Sequence, residues 1–221
     1  MPTANPRLYV QYGCGLTAPD EWVNFDASPR LRLERLPGTR WLLGATVGLL
    51  FPPGAAPGNI VQGLPIRDGT VSGVYCSHVL EHLPRDDVPR ALRNTFKMLV
   101  PGGMFRLVVP DLQWRIEEYF SSSQSSGAAA AADRFIDACI LGRRSKLKLM
   151  ASLKEHFGNS SHLWMYDFAL LKGLLEQAGF VQVRRCEIGD GDQMFDLVEK
   201  KNRFFDGDKR ELAIQALRPN G

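Results

Sequence analysis

The feature that most constrains this chain is the run from Val71 to Val109. Val71-Ser72-Gly73-Val74-Tyr75-Cys76 reads as a buried strand. A helix is predicted from Asp86 to about Leu99, because Val88, Leu92, Thr95, Phe96 and Leu99 share one face at a 3.6-residue period. Val100-Pro101-Gly102-Gly103 stops it, and Met104-Phe105-Arg106-Leu107-Val108-Val109 reads as the next strand, ending at Pro110-Asp111. Strand, helix and strand at these lengths make a βαβ unit, which argues for an α/β fold with a parallel sheet.

Two earlier segments extend that sheet. Leu8–Tyr12 reads as a strand that runs into Gly13-Cys14-Gly15. In α/β proteins such a turn leaves bare backbone at the carboxyl end of a parallel strand, where nucleotide-like ligands bind; a plain tight turn has the same composition. Glu21–Asp26 reads as the second strand, with Asp26 at its end. A carboxylate there forms a bidentate pair with two ribose hydroxyls. Asp26-Ala27-Ser28-Pro29 also has the residues of a helix start. Only ten residues lie between Gly15 and Asp26, Pro19 among them, and position 18 is Ala rather than Gly. A full helix and strand do not fit, and a dinucleotide fingerprint places its acidic residue about 20 residues on. NAD is disfavoured.

The remaining segments are less sharply defined. Ser28–Leu36 reads as a short helix, and 37–58 as a Pro/Gly-rich insertion carrying the apolar patch Trp41–Phe51. Asn59-Ile60-Val61 reads as the third strand. Asp111–Phe120 is predicted helical, Ser121–Gly127 flexible and of low complexity, and Ala128 to about Leu141 helical again. Arg143, Arg144, Lys146 and Lys148 form a basic run, read as a solvated helix face, with docking of an anionic acceptor the alternative. Tyr166–Ala178 is amphipathic, with Gly179 at C′. Phe180–Ile188 and Glu211–Leu217 read as the last strands, around a polar stretch at Asp190–Asp208. One domain over 1–221 is expected, with the insertion at 37–58 and a helical acceptor or lid region at about 111–165.

Composition excludes several classes. Twenty-seven basic against 24 acidic residues give a net charge of +3, too small to imply a nucleic-acid partner. Cys14, Cys76, Cys139 and Cys186 are widely spaced, with no C-x-x-C pair and no disulfide framework. The longest apolar tract falls well short of the roughly 20 residues of a membrane helix. Met1–Arg7 lacks the apolar core of a signal peptide. The expectation is a cytoplasmic protein, monomer or homodimer, without a membrane span.

In order, the chain carries Tyr-Gly-Cys-Gly, Asn-Phe-Asp, Gly-Leu-Pro-Ile-Arg-Asp-Gly, Ser-His-Val-Leu-Glu-His-Leu, Leu-Val-Pro-Gly-Gly-Met-Phe and Leu-Leu-Glu-Gln-Ala-Gly-Phe. This set resembles the class I S-adenosylmethionine-dependent methyltransferases, in particular the small type 11 group, across residues 8–110 and 162–187. The resemblance implies a Rossmann-like sheet of seven mostly parallel strands, the last antiparallel, flanked by helices. It implies S-adenosyl-L-methionine as cofactor and a small-molecule or glycan-type acceptor methylated on oxygen or nitrogen. By position, Tyr12, Gly13, Cys14 and Gly15 would lie against the methionine part and Asp26 would hold the ribose. Gln62, Gly63 and Leu64 would flank the adenine, and Ser77 and His78 would face the methionine end and the acceptor. Gln11 and Tyr12 depart from the usual acidic or small residue and aliphatic one, and Gln62-Gly63 from the usual acidic residue.

In-line displacement from a sulfonium needs mainly alignment and exclusion of water; a base is required only for a hydroxyl or protonated amine. The histidines are therefore of interest: His78, His82, His156 and His162. His78, His82 and His162 are the candidate bases, the first two just past a strand end. Their i, i+4 spacing also permits a metal pair, but no third ligand is apparent, so no metal is expected. Asp111, Trp164 and Tyr166 are the candidate acceptor contacts; a hydrophobic staple at the following helix accounts for Trp164 equally well. The alternative to an enzyme is a non-catalytic scaffold of the same fold, with Trp41–Phe51 as its partner surface.

Overall fold

The structure, a computed structural model, describes residues 7–39, 50–126, 128–141, 161–207 and 209–221. The basic run at 143–148, His156 and all but the end of the Trp41–Phe51 patch lie outside these residues. Strands β1 (Leu8–Tyr12), β2 (Val23–Asp26), β3 (Ala55–Pro57), β4 (Val71–Ser77), β5 (Leu99–Val109), β6 (Val181–Arg185) and β9 (Leu212–Leu217) form one sheet in the order 3-2-1-4-5-9-6. Between the last two, β7 (Phe205–Asp206) and β8 (Lys209–Arg210) make a small hairpin. The pairs β1–β2, β1–β4, β2–β3 and β4–β5 are parallel, and β9 runs antiparallel to both β5 and β6. The expected seven-stranded sheet with an antiparallel last strand is present.

Among the described residues the helices are α1 (Pro29–Glu34), α2 (Val88–Met98), α3 (Leu112–Ser126), α4 (Ala128–Cys139), α5 (Phe168–Gln177) and the single turn α6 (Lys201–Phe204). On one sheet face, α2 and α5 pack Val88, Ala91, Leu92 and Leu171, Leu174, Leu175 onto Val10, Val74, Phe105, Leu107 and Ile214. Local chemistry sets the ends of α5: the Asp167 side chain accepts from the Leu170 N–H at 2.8 Å, and Gly179 follows at φ +101°. No helix among the described residues is long and apolar enough to cross a membrane.

The other face is covered differently. The link from β1 to β2 holds no helix, so its carbonyls need other partners. Gln11 and Asn24, both buried, supply them. Gln11 Nε2 donates to Thr17 O at 2.8 Å and to Asn24 Oδ1 at 2.5 Å, while Asn24 Nδ2 donates to Pro19 O at 3.0 Å and Trp22 O at 2.7 Å. Trp22 then packs beneath the sheet against Tyr9 and Phe195, with ring centroids 5.2 and 5.3 Å away. Its Nε1 donates to Met194 O at 3.0 Å. Phe195, Val198 and Phe204 come from the stretch between β6 and β9, which lies as a strap over Tyr9, Tyr75, Val108 and Ala213.

Arg106 pins this strap. It is 1% exposed in the middle of β5. Its Nε donates to Glu199 Oε1 (2.5 Å), Nη1 to Asp190 Oδ1 (2.6 Å) and Gln215 Oε1 (2.8 Å), and Nη2 to Glu187 O (2.7 Å) and Glu199 Oε2 (3.1 Å). All five guanidinium N–H groups are thus matched, which a buried arginine requires. Burial pushes the Glu199 carboxyl above the ordinary range, against the pull of Arg106.

Two local expectations are corrected. The third strand is Ala55–Pro57, not Asn59–Val61, because pairing with Asn24–Asp26 outweighs propensity; proline is tolerated since β3 is the sheet edge. The stretch expected to be flexible, Ser121–Gly127, is helical as far as it is described: α3 continues through Ser126 and packs along α4, with Tyr119 and Phe135 centroids 5.7 Å apart, while Gly127 lies outside the described residues.

Candidate functional site

The sheet order reverses between β1 and β4, the usual place for a ligand crevice in an open parallel sheet. A cavity of about 480 Å³ opens there, within the roughly 300–1,000 Å³ of small-molecule sites. Its wall includes Tyr12, Gly13 and Gly15 after β1, Asp26 after β2, Gly58–Ile60 after β3, and Ser77 and His78 after β4. Gly13 is at φ +70°, and a Cβ there would lie 2.1 Å from Val79 Cγ2, so the position accepts glycine alone.

Asp26 joins the first two loops. Its Oδ2 accepts from the Gly15 N–H at 2.9 Å and its Oδ1 from the Ser28 N–H at 2.8 Å. The helix cap is Ser28, whose side chain accepts from the Arg30 N–H; Asp26 stands before it with its carboxylate in the cavity wall. Tyr12 turns its hydroxyl to Thr95, 3.1 Å away. Cys14 is not in the cavity wall: its N–H donates to Phe25 O, and its thiol packs with Leu31, Phe51 and Ala55. Burial first, and Asp26 second, push that thiol up to about 12.

Gln62, Gly63 and Leu64 are not in the cavity wall; Gly58, Asn59 and Ile60 are. The third strand ends earlier than its composition suggested, and the loop residues at its carboxyl end shift with it. Leu64 lies behind the wall, 2.8 Å from where a Cβ on Gly58 would be.

His78 takes φ +53° directly after β4. Its ring nitrogens are both engaged, Nδ1 with Glu81 Oε1 and Nε2 with Arg203 O, each at 3.1 Å. Burial pulls its pKa down, but the Glu81 carboxylate and the Arg203 carbonyl outweigh that and leave it raised. His82 lies in the wall and His162 beside it, with ring centroids 5.1 Å apart. Burial and the neighbouring His82 lower the pKa of His162, against the pull of Glu81.

The acceptor candidates are not gathered in this wall. Asp111 caps α3, accepting from the Gln113 N–H at 3.0 Å, and pairs with Arg185 at 3.0 Å. Tyr166 is fully buried, its hydroxyl 3.4 Å from Leu80 O and pushed up to about 12 by burial. Trp164 is 44% exposed, so it does not serve as a buried staple.

Sequence reasoning missed Arg203. It lies in the cavity wall, with Nη2 3.2 Å from where a Cβ on Gly15 would be. The strap delivers it from far along the chain, and no local motif marks it.

Residues 17–184 match the family model described as a methyltransferase domain. A solved SAM-dependent methyltransferase from Methanosarcina mazei is similar at TM-score 0.51 and 13% identity, covering 99% of this chain and 95% of that one. One from Archaeoglobus fulgidus is similar at TM-score 0.47 and 16% identity, covering 96% and 86%. The probable methyltransferase ltbC of Aspergillus luteorubrus is 42% identical over 48 residues, a stretch spanning 21% of this chain and 17% of that protein. A crevice at the β1–β4 reversal, an acidic residue closing β2 and a family match across most of the sheet converge: the chain belongs to the methyltransferase domain family.

Proposed function

We propose that the chain binds S-adenosylmethionine in the β1–β2–β4 cavity and catalyses methyl transfer to oxygen or nitrogen of a small-molecule or glycan-type acceptor. The observation that carries this reading is Asp26. Two backbone N–H groups fix both its oxygens, and each keeps acceptor capacity for a ribose hydroxyl. Bound there, the cofactor supplies an activated methyl on a sulfonium, with a neutral thioether as leaving group.

The chain's own part is positioning, which can be worth roughly 7–11 kcal/mol. The backbone at Gly13–Gly15 admits the amino-acid portion, and Arg203 faces its carboxylate. Gly58–Ile60 form the adenine side. His78 braces the loop after β4 against the strap. We assign His82, in the cavity wall, and the exposed Trp164 to the acceptor side. The reading takes residues 1–221 as one domain.

Thermal unfolding with S-adenosylmethionine and S-adenosylhomocysteine tests it. Either nucleoside at 100 times its Kd should add about 2.7 kcal/mol. Asp26→Asn should weaken binding by about ten- to a hundredfold, the scale of hydrogen bonds to a charged group. No stabilisation by either nucleoside sinks the reading. Binding without transfer of labelled methyl to any acceptor pool favours the scaffold instead.

A further inference from the structure

Three donor side chains meet where sequence spacing offered two. Glu81 and His82 sit in the turn Leu80–His82 just after β4. His162 arrives from a distant segment, which the Glu81 carbonyl holds by accepting from Leu163 N–H at 2.7 Å and Trp164 N–H at 3.2 Å. One ligand-capable atom from each of Glu81, His82 and His162 lies within 4.8 Å of the other two.

Their hydrogen bonding is that of metal ligands. His82 Nδ1 faces Ser161 O at 3.1 Å, and His162 Nδ1 faces Cys139 O at 2.9 Å. A carbonyl only accepts, so each Nδ1 carries the hydrogen and each Nε2 presents a lone pair. Backing one ring nitrogen with a carbonyl fixes the tautomer and orientation of a ligating imidazole. Glu81 is fully buried, and its Oε2 has no hydrogen-bond partner, while Oε1 is held by His78. A buried carboxylate oxygen without a partner costs free energy that a donor or a metal ion relieves.

We propose that Glu81, His82 and His162 bind one divalent transition-metal ion, with zinc the best match. Magnesium and calcium prefer all-oxygen sites, whereas imidazole suits zinc and its neighbours. Two histidines and one glutamate with an open fourth position are a catalytic zinc donor set. Bonds of about 2.0–2.1 Å place tetrahedral ligand atoms about 3.3 Å apart, so the three groups close by up to about 1.5 Å on binding. His82, the least buried, has the freedom to do so. It also lines the ligand cavity, so the fourth position opens toward an acceptor. Polarisation of an acceptor hydroxyl there rests on the methyl-transfer reading; the binding site itself does not.

The test uses tag-free full-length protein stripped with chelator and titrated with zinc by calorimetry. One ion per chain is expected, and cobalt in its place should give the visible bands of a four- or five-coordinate ion. His82→Ala and His162→Ala should each weaken zinc by at least about 100-fold while keeping the wild-type circular dichroism. His82 is half-buried, so its variant reports even if His162→Ala fails to fold. Failure to take up zinc or cobalt, or uptake unchanged in folded His82→Ala, overturns the proposal. Zinc uptake without stabilisation by S-adenosylhomocysteine upholds this site and sinks the methyl-transfer reading.

Discussion

Among the described residues, the cover on one face of the sheet is two regular helices over apolar strand residues. On the other it is a tryptophan and an irregular strap pinned by a buried arginine. The first face gains stability from non-directional burial. The second spends much of its interior on matched polar groups, Gln11, Asn24, Arg106 and Gln215. Buried ion pairs add little net stability but tolerate few alternative arrangements. The strap also carries Arg203 to the cavity and offers the carbonyl that His78 engages. One face holds the fold; the other also sets the site.

The sharpest way to break that contrast is Arg106→Met. It leaves Glu199 buried without its partner and should cost about 3–5 kcal/mol in urea unfolding. It should also abolish stabilisation by S-adenosylhomocysteine, because Arg203 loses its anchor. A loss under about 1 kcal/mol would mean that Phe195 and Trp22 hold the strap by packing alone. On the opposite face, Leu175→Ala should cost roughly 3 kcal/mol, mid-range for such a truncation, and leave the ligand response intact. If ligand stabilisation vanished there too, the two faces would not be separable. The smallest effect is expected for Gln11→Leu, about 1–2 kcal/mol, from stranding the Thr17 carbonyl and the Asn24 amide. Circular dichroism melts of the variant against wild type measure it.

The helix-covered face was legible because burial writes itself into sequence as a period. Val88, Leu92 and Thr95 recur along α2 and pack as that spacing requires. Asp26 and the glycines beside it were legible because a strand end and a tight turn have local signatures. The strap was not. Nothing near Arg106 announces Glu199, 93 positions away, and nothing near Arg203 announces Gly15. Gln11 looked like an anomaly of the glycine loop, and only the hydrogen bonds to Thr17 and Asn24 show it standing in for a missing helix. Ala55-Ala56-Pro57 has poor strand formers, and its place was set by a neighbour rather than by its own residues. The Glu81–His82–His162 cluster likewise needed the tertiary structure, since His162 reaches it through the Glu81 carbonyl.

The position of β9 has a consequence for the order of folding. It is the last strand in the chain yet lies between β5 and β6. As the chain leaves the ribosome, β1 to β5 have time to assemble while β6 has no neighbour to join. Until residues 212–217 emerge, β5 is an open edge and Arg106 lacks one of its partners, Gln215. Such an edge invites pairing with other chains. A ribosome stalled before that strand should therefore yield an aggregation-prone sheet rather than a shortened but sound protein.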